Sequence, residues 1–458
     1  MKKILLILIP LVILVGGGGG TAWYIITYHP EWLPRTLNSV QEEAVIDEVV
    51  ISENTEPELS AEEQSLIDLI NQYDYRKNDV SYLQRVAGEF LQRRQVKKAE
   101  KYVSEALALD PLQSRSVGLQ VKIYLLENRI NEAQVFLANS PDDSGEVSFM
   151  KALTAILLGN RDEAGRQLHN IVDSGKDPNI VANAQKIIDA YREFDFFRDG
   201  QLIHLQTLLA RSMNQIDEPQ LAIYLLRGVL DEKSDYRDAW LLLGYAYFNL
   251  QQYSQSEDAF LKAYSLDSEK PETQYFLGLI YSAMKNYAES ERFFEYALIN
   301  SFEPKIQVYQ RLAEVYLKND RYDKAVKMYE NFLALLPERH ASDFVQPISL
   351  YLNNLKEPQN ALRIAEQVAE ALPEEAESYT LLAWSQIEGG NLTEAQLNLE
   401  KAAILAPALP SVFLNYGRLY EALGDLDKAK ENYKKAYDLS RGTEEGNVAA
   451  ELYNKLIR

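Results

Sequence analysis

The chain has 458 residues, a net charge of −21 and no cysteine. That charge excludes a general polyanion binder, since phosphates would be repelled rather than shed counterions onto basic side chains. The missing cysteines exclude disulfides, thiolate metal sites and a cysteine nucleophile, and the length exceeds one compact core, so two domains or an elongated array is expected.

The first segment, 1–35, opens "MKKILLILIPLVILVGGGGGTAWYIITYHPEWLPR". After Lys2 and Lys3 no charge occurs in residues 4–28, and about 20 apolar residues are enough to span a bilayer core as a helix. Trp23, Tyr24, Tyr28 and Trp32 stand where an interfacial aromatic belt would sit, and the paired lysines place the N-terminus in the cytoplasm and the rest outside it. A single-pass membrane anchor is expected. The alternative is a signal peptide cleaved near Ala22, since Gly20-Thr21-Ala22 fits the small-x-small pattern and residues 4–15 form an h-region; the product would then be secreted or periplasmic.

Residues 36–63 carry many carboxylates and no Lys or Arg, which reads as a solvated acidic linker. Ser60 and Glu63 form a capping box, so the first helix is expected from Ala61 through Leu66, Ile70 and Tyr73.

From there a period emerges. An N-terminal degenerate array, 64–200, contains Leu83, Ala87, Phe90 and Ala99, then Val117, Tyr124 and Ala133, then Ala152, Ala155 and Ala164. The aromatic cluster Tyr191, Phe194, Phe196 and Phe197 interrupts it, either as a packed joint or as a ligand pocket. A C-terminal array, 201–458, is more regular. Trp240, Leu243, Gly244, Tyr247, Ser256, Phe260 and Ala263 are followed 34 residues on by Leu277, Gly278, Tyr281, Ser290, Phe294 and Ala297. Later units repeat the pattern, among them Phe413, Gly417, Tyr420, Ala429, Tyr433 and Ala436. A unit over residues 343–373 keeps the phase with a one- or two-residue insertion. Small residues at the eighth and twentieth places permit a close helix contact, which large residues at the fourth, eleventh and twenty-fourth surround. Gly159, Gly390 and Gly424 occupy the turn inside a unit, where φ > 0 ends the first helix. The last stretch, "GNVAAELYNKLIR", sets Leu452, Tyr453 and Leu456 on one side, as a terminal cap requires.

This pattern resembles the tetratricopeptide repeat, a helix–turn–helix unit of 34 residues, over roughly residues 80–441. The resemblance is to membrane-anchored bacterial members of that family. It implies an all-α superhelical solenoid after the N-terminal transmembrane segment, with a concave groove lined by the first helix of each unit. Carried over place by place, the partner-binding groove comprises Arg211, Asn214, Tyr245, Phe248, Tyr275, Gln310, Trp384 and Arg418. An aromatic and polar groove suits an extended peptide or a partner helix; alternatively, another part of the array folds over Tyr245 and Phe248. The Lys and Asn of the family's carboxylate clamp are absent.

No H-E-x-x-H, phosphate loop or nucleophile elbow occurs, and the four histidines stand apart. Neither catalysis, nor a cofactor, nor nucleic acid as a partner is expected. The resemblance implies a membrane-anchored, extracytoplasmic scaffold for protein–protein interaction in an envelope assembly such as secretion, surface-polymer export or cell-wall machinery. The alternatives are an accessory non-catalytic subunit of a polysaccharide-modifying system and a periplasmic chaperone-like adaptor.

Overall fold

The structure, a computed structural model, describes residues 61–140, 144–196 and 201–457. Every regular element among them is a helix. None is long and apolar enough to cross a membrane, and the anchor expected at residues 4–28 lies outside the described residues, as do the linker up to residue 60 and Phe197.

The first helix runs Ala61–Asn71, with Tyr73 in a separate short turn, Tyr73–Arg76. Antiparallel pairs follow, for example Arg237–Asn249 with Tyr253–Leu266, and Pro271–Ala283 with Tyr287–Ile299. What holds each pair together is visible at the small residues. The Ser256 hydroxyl donates to the Gly244 carbonyl at 2.7 Å, and Ser290 donates to Gly278 at 2.8 Å. A Cβ on Gly244 would lie 2.8 Å from the Phe260 ring, and one on Gly417 would lie 2.4 Å from that of Tyr433. The large ring therefore occupies the volume a side chain at the eighth place would need. At the twentieth place the residues Ala99, Ala133, Ala164, Ala222, Ser256, Ser290, Ala325, Ala361, Ala395 and Ala429 are all 0% exposed. The spacing holds in the weak N-terminal units as well.

The turn within each pair is left-handed at the fifteenth place. Gly159, Gly390 and Gly424 have positive φ there as expected, but so do Arg94, Asn128, Asp217, Gln251, Lys285, Asp320 and Lys356. In the Schellman pattern that follows, the next amide reaches back across the turn, as Gln252 N–H does to Tyr247 O at 3.0 Å and Asn286 N–H to Tyr281 O at 2.8 Å. Satisfying two orphan carbonyls offsets the cost of a non-glycine residue in this conformation.

The irregular unit over residues 343–373 takes up its insertion locally. Its first helix is assembled from a 3₁₀ turn, Ala341–Phe344, a short α segment, Val345–Ser349, and a π segment, Leu350–Asn354. The Leu355 amide donates to Leu350 O at 2.9 Å, a wider turn that accommodates an extra residue without losing phase.

The helices form two compact units, divided between Glu269 and Lys270. The division expected near residue 200 does not coincide with this boundary. In the first unit the long helix Pro178–Phe196 packs on Leu202–Gln215, and one apolar core continues from Val117 to Ala259. The irregular helix substitutes for a repeat pair and does not end the packing. In the second unit the terminal helix Glu444–Ile457 lays Leu452, Tyr453 and Leu456 on the cluster of Leu414, Ala429 and Tyr433, as a cap does.

Candidate functional site

In the first unit the expected groove residues are inside. Arg211, Asn214, Tyr245 and Phe248 are 5%, 6%, 9% and 4% exposed. Arg211 pairs with Glu193 of the long helix, and the Asn214 amide donates to Leu242 O at 3.2 Å. Burial pushes the Tyr245 phenol up to about 12. Contacts between distant repeats also cross this unit. Lys122, from helix Ser114–Leu126, meets Glu218 at 2.6 Å, and Arg94, in the first repeat's turn, donates to Asn249 O at 3.4 Å.

The aromatic segment lies elsewhere in this unit. Tyr191 is buried and Phe194 half-buried, with the Arg161 guanidinium 5.2 Å from the first ring centroid and 5.8 Å from the second. Arg161 is held by Asp195 at 2.6 Å. Tyr191, Phe194 and Arg161, with Leu202, Leu205 and Tyr224, line a cavity of about 860 Å³. Phe196 is 75% exposed, so among the described residues the segment packs at Tyr191 and Phe194 and leaves a recess beside them.

In the second unit Tyr275 is core: it is 1% exposed and stacks on Phe302 with ring centroids 4.2 Å apart. Gln310 is half-buried and donates to Glu314 at 3.3 Å. Trp384, itself 6% exposed, and the half-buried Arg418 are brought together from successive first helices, Ala376–Glu388 and Pro410–Ala422. The guanidinium lies 4.3 Å above the indole centroid, a cation–π arrangement. Arg418 donates to Asn415 Oδ1 at 2.6 Å, and Asn415 in turn donates to Thr380 O at 3.0 Å, which fixes the side chain in place. Among the described residues no carboxylate is within ion-pair distance of Arg418, and burial lowers its pKa. The Trp384 indole N–H is buried with no hydrogen-bond partner.

Two carboxyls missing from the expected groove lie close by: Glu445 acts on Arg418, and Glu377 acts on Glu445. Burial raises the pKa of Glu377, whose carboxylate accepts from the Ser411 hydroxyl at 2.7 Å. Burial, assisted by Glu377 and opposed by Arg418, pushes Glu445 up to about 7. A signal for them exists: Glu377, Ser411 and Glu445 all stand at the second place of consecutive units, 34 residues apart.

Left-handed turns at a fixed place, a small twentieth residue and a ring against the eighth define a helical-repeat protein of helix–turn–helix units. The unit is the tetratricopeptide repeat, and models of that repeat match residues 238–270, 271–298 and 410–443 and residues 308–339. The chain carries tetratricopeptide repeats, and arrays of such units are in general non-catalytic scaffolds with extended binding surfaces. A curated relative, the BBSome complex member BBS4 homolog of Drosophila melanogaster, is 27% identical over 205 residues, which cover 38% of this chain and 41% of that protein. The match thus spans about two fifths of the relative's length. Among solved structures, TTC0263, a tetratricopeptide protein of Thermus thermophilus, aligns with a TM-score of 0.29 and 17% identity over 46% of this chain and 100% of its own. The pilF protein of Pseudomonas aeruginosa aligns with a TM-score of 0.30 and 16% identity over 54% and 95%. PilW, described as a type IV pilus biogenesis factor, aligns with a TM-score of 0.29 and 17% identity over 55% and 99%.

Proposed function

We propose that this chain is a membrane-anchored scaffold that holds a partner protein's extended segment or helix in the groove of its second unit, outside the cytoplasm, within an envelope assembly. The observation that carries the binding role is the Arg418–Trp384 pair. A guanidinium stacked on Trp384 with no carboxylate within ion-pair distance among the described residues, and a buried indole N–H without an acceptor, leave bonding capacity for a partner segment, because buried donors are normally paired. The anchor and the topology rest on Lys2, Lys3 and the uncharged residues 4–28.

The test is topological. A reporter fused after Arg458 is expected to be active only outside the cytoplasm, with the full chain resisting carbonate extraction. Release of a soluble product beginning at Trp23 would overturn the anchor and leave a secreted or periplasmic scaffold; activity in the cytoplasm would overturn the envelope assignment altogether.

A further inference from the structure

We propose that the chain's own segment 44–51, AVIDEVVI, docks in the recess beside Tyr191 and Phe194 and covers it. The recess is built from the turn ends of first helices, at Leu125, Asn128, Leu157 and Gly159, and from the second helix Pro219–Glu232. None of the expected groove residues lines it. Its walls are apolar and its rim is cationic. Leu202 and Tyr224 line it and are exposed, an apolar surface of the kind that is usually covered. Arg161 and Arg227 line it and are exposed as well. Arg227 donates to the Tyr247 hydroxyl at 2.9 Å, and among the described residues no carboxylate is within ion-pair distance of it. Asp231 is the only carboxylate in the lining, so the two guanidiniums leave the rim with positive charge in excess.

The segment supplies the complement. Six of the residues 44–51 are apolar, Asp47 and Glu48 stand among them, and residues 36–60 contain no Lys or Arg. A solvated spacer is poor in β-branched residues, whereas this stretch carries five: Val45, Ile46, Val49, Val50 and Ile51. The segment also reaches. The Tyr82 hydroxyl donates to Leu69 O at 2.7 Å, which sets the last turn of helix Ala61–Asn71 against the first turn of Val80–Gln92. Leu66 packs in the same core as Phe90, so the two helices run in opposite directions and Ala61 lies at the end where the recess opens. Val80–Gln92 packs in turn on Ser114–Leu126, which carries Leu125. Two helix spacings amount to about 20 Å, and the nine residues 52–60 span about 33 Å when extended. A segment tethered so closely acts at high effective concentration. The recess belongs to the first unit, and its occupancy does not depend on the Arg418–Trp384 pair.

The test uses the full chain in detergent. Because it contains no cysteine, spin labels at Ser52→Cys and Asp162→Cys report the distance from the segment to the rim by pulsed electron resonance. A single narrow distribution is expected, and it should broaden and lengthen in the variant Val45→Ser/Ile46→Ser/Val49→Ser/Val50→Ser, whose changes lie outside the described helices. A fluorescein-labelled peptide of residues 42–53 should bind that variant at least about tenfold more tightly than wild type, and the gain should vanish when Arg161→Glu/Arg227→Glu is added. A wild-type distribution as broad as the variant's, equal peptide affinity for the two, or a gain that survives loss of both cations overturns the proposal. A short distance that disappears on dilution with unlabelled chain assigns the recess to a second copy and overturns it too.

Discussion

The Phe260 ring fills the space that a side chain on Gly244 would occupy, with ring carbons 2.8 Å from the position of the missing Cβ. The same relationship joins Phe294 to Gly278, at 2.6 Å, and Tyr433 to Gly417, at 2.4 Å. Each glycine is required by the ring facing it, since conformational freedom is not at issue inside a helix. Gly244→Ala and Gly278→Ala should each cost about 1–3 kcal/mol through overpacking, with Gly417→Ala at least as costly. The check is the chemical-denaturation midpoint. An unchanged midpoint at all three sites would mean that the rings yield without strain.

The turns make a separate prediction. Gln251 and Lys285 hold positive φ without being glycine, so Lys285→Gly should stabilise by up to about 1 kcal/mol, relief of backbone strain being partly offset by greater freedom of the unfolded chain. At Gly390, where φ is +82° and nothing lies within 4 Å of an added Cβ, Gly390→Ala should destabilise by about 1 kcal/mol through the backbone alone. Thermal melting of the two variants should move in opposite directions.

The period, the cap and the helix contact were legible in the sequence because they are local. Gly244, Ser256 and Phe260 fall within one unit and their sizes alone dictate how they fit. The positive φ at Gln251 and Lys285 was not legible, because those residue types carry no turn signature and only the fixed place reveals it. The sequence left Tyr245 open between a groove wall and a covered residue, and the burial of Tyr275 was not legible: a place in the unit says which side a residue faces, whereas its exposure depends on what lies opposite. Arg94 reaches Asn249 across 155 residues of chain, and Tyr275 is covered by Phe302 from the loop after its own repeat. Trp384 and Arg418 meet because both occupy the ninth place of neighbouring units, so that pairing could be read from the spacing.

Tyr275 should therefore behave as core. Tyr275→Ala removes a ring stacked at 4.2 Å on Phe302 and should cost about 3–5 kcal/mol, visible as a lowered denaturation midpoint. A variant that kept full stability would return Tyr275 to the binding surface.

Glu445 gives the second unit a pH dependence. Burial, together with Glu377, raises its pKa to about 7, while Arg418 opposes the rise. A carboxyl whose pKa is raised on folding favours the folded state when protonated, so stability falls as pH increases from the ordinary value of 4.5 towards and through 7. Glu377 is shifted in the same direction and adds to the trend. Hydrogen exchange in helix Glu444–Ile457 should be slower at pH 5 than expected from the exchange chemistry at pH 8, and Glu445→Gln should flatten the difference. A wild-type profile identical to that of the variant would contradict the burial of this carboxyl.

The most direct measurement of the central claim, that a partner is held at the Arg418–Trp384 pair, is crosslinking capture from membranes with the full chain, comparing wild type, Arg418→Gln and Tyr75→Glu. Tyr75 is 92% exposed and serves as the surface control. The account predicts that the protein captured by wild type and by Tyr75→Glu is lost with Arg418→Gln, while helical content and melting stay the same in all three. The same partner captured equally by Arg418→Gln would contradict it.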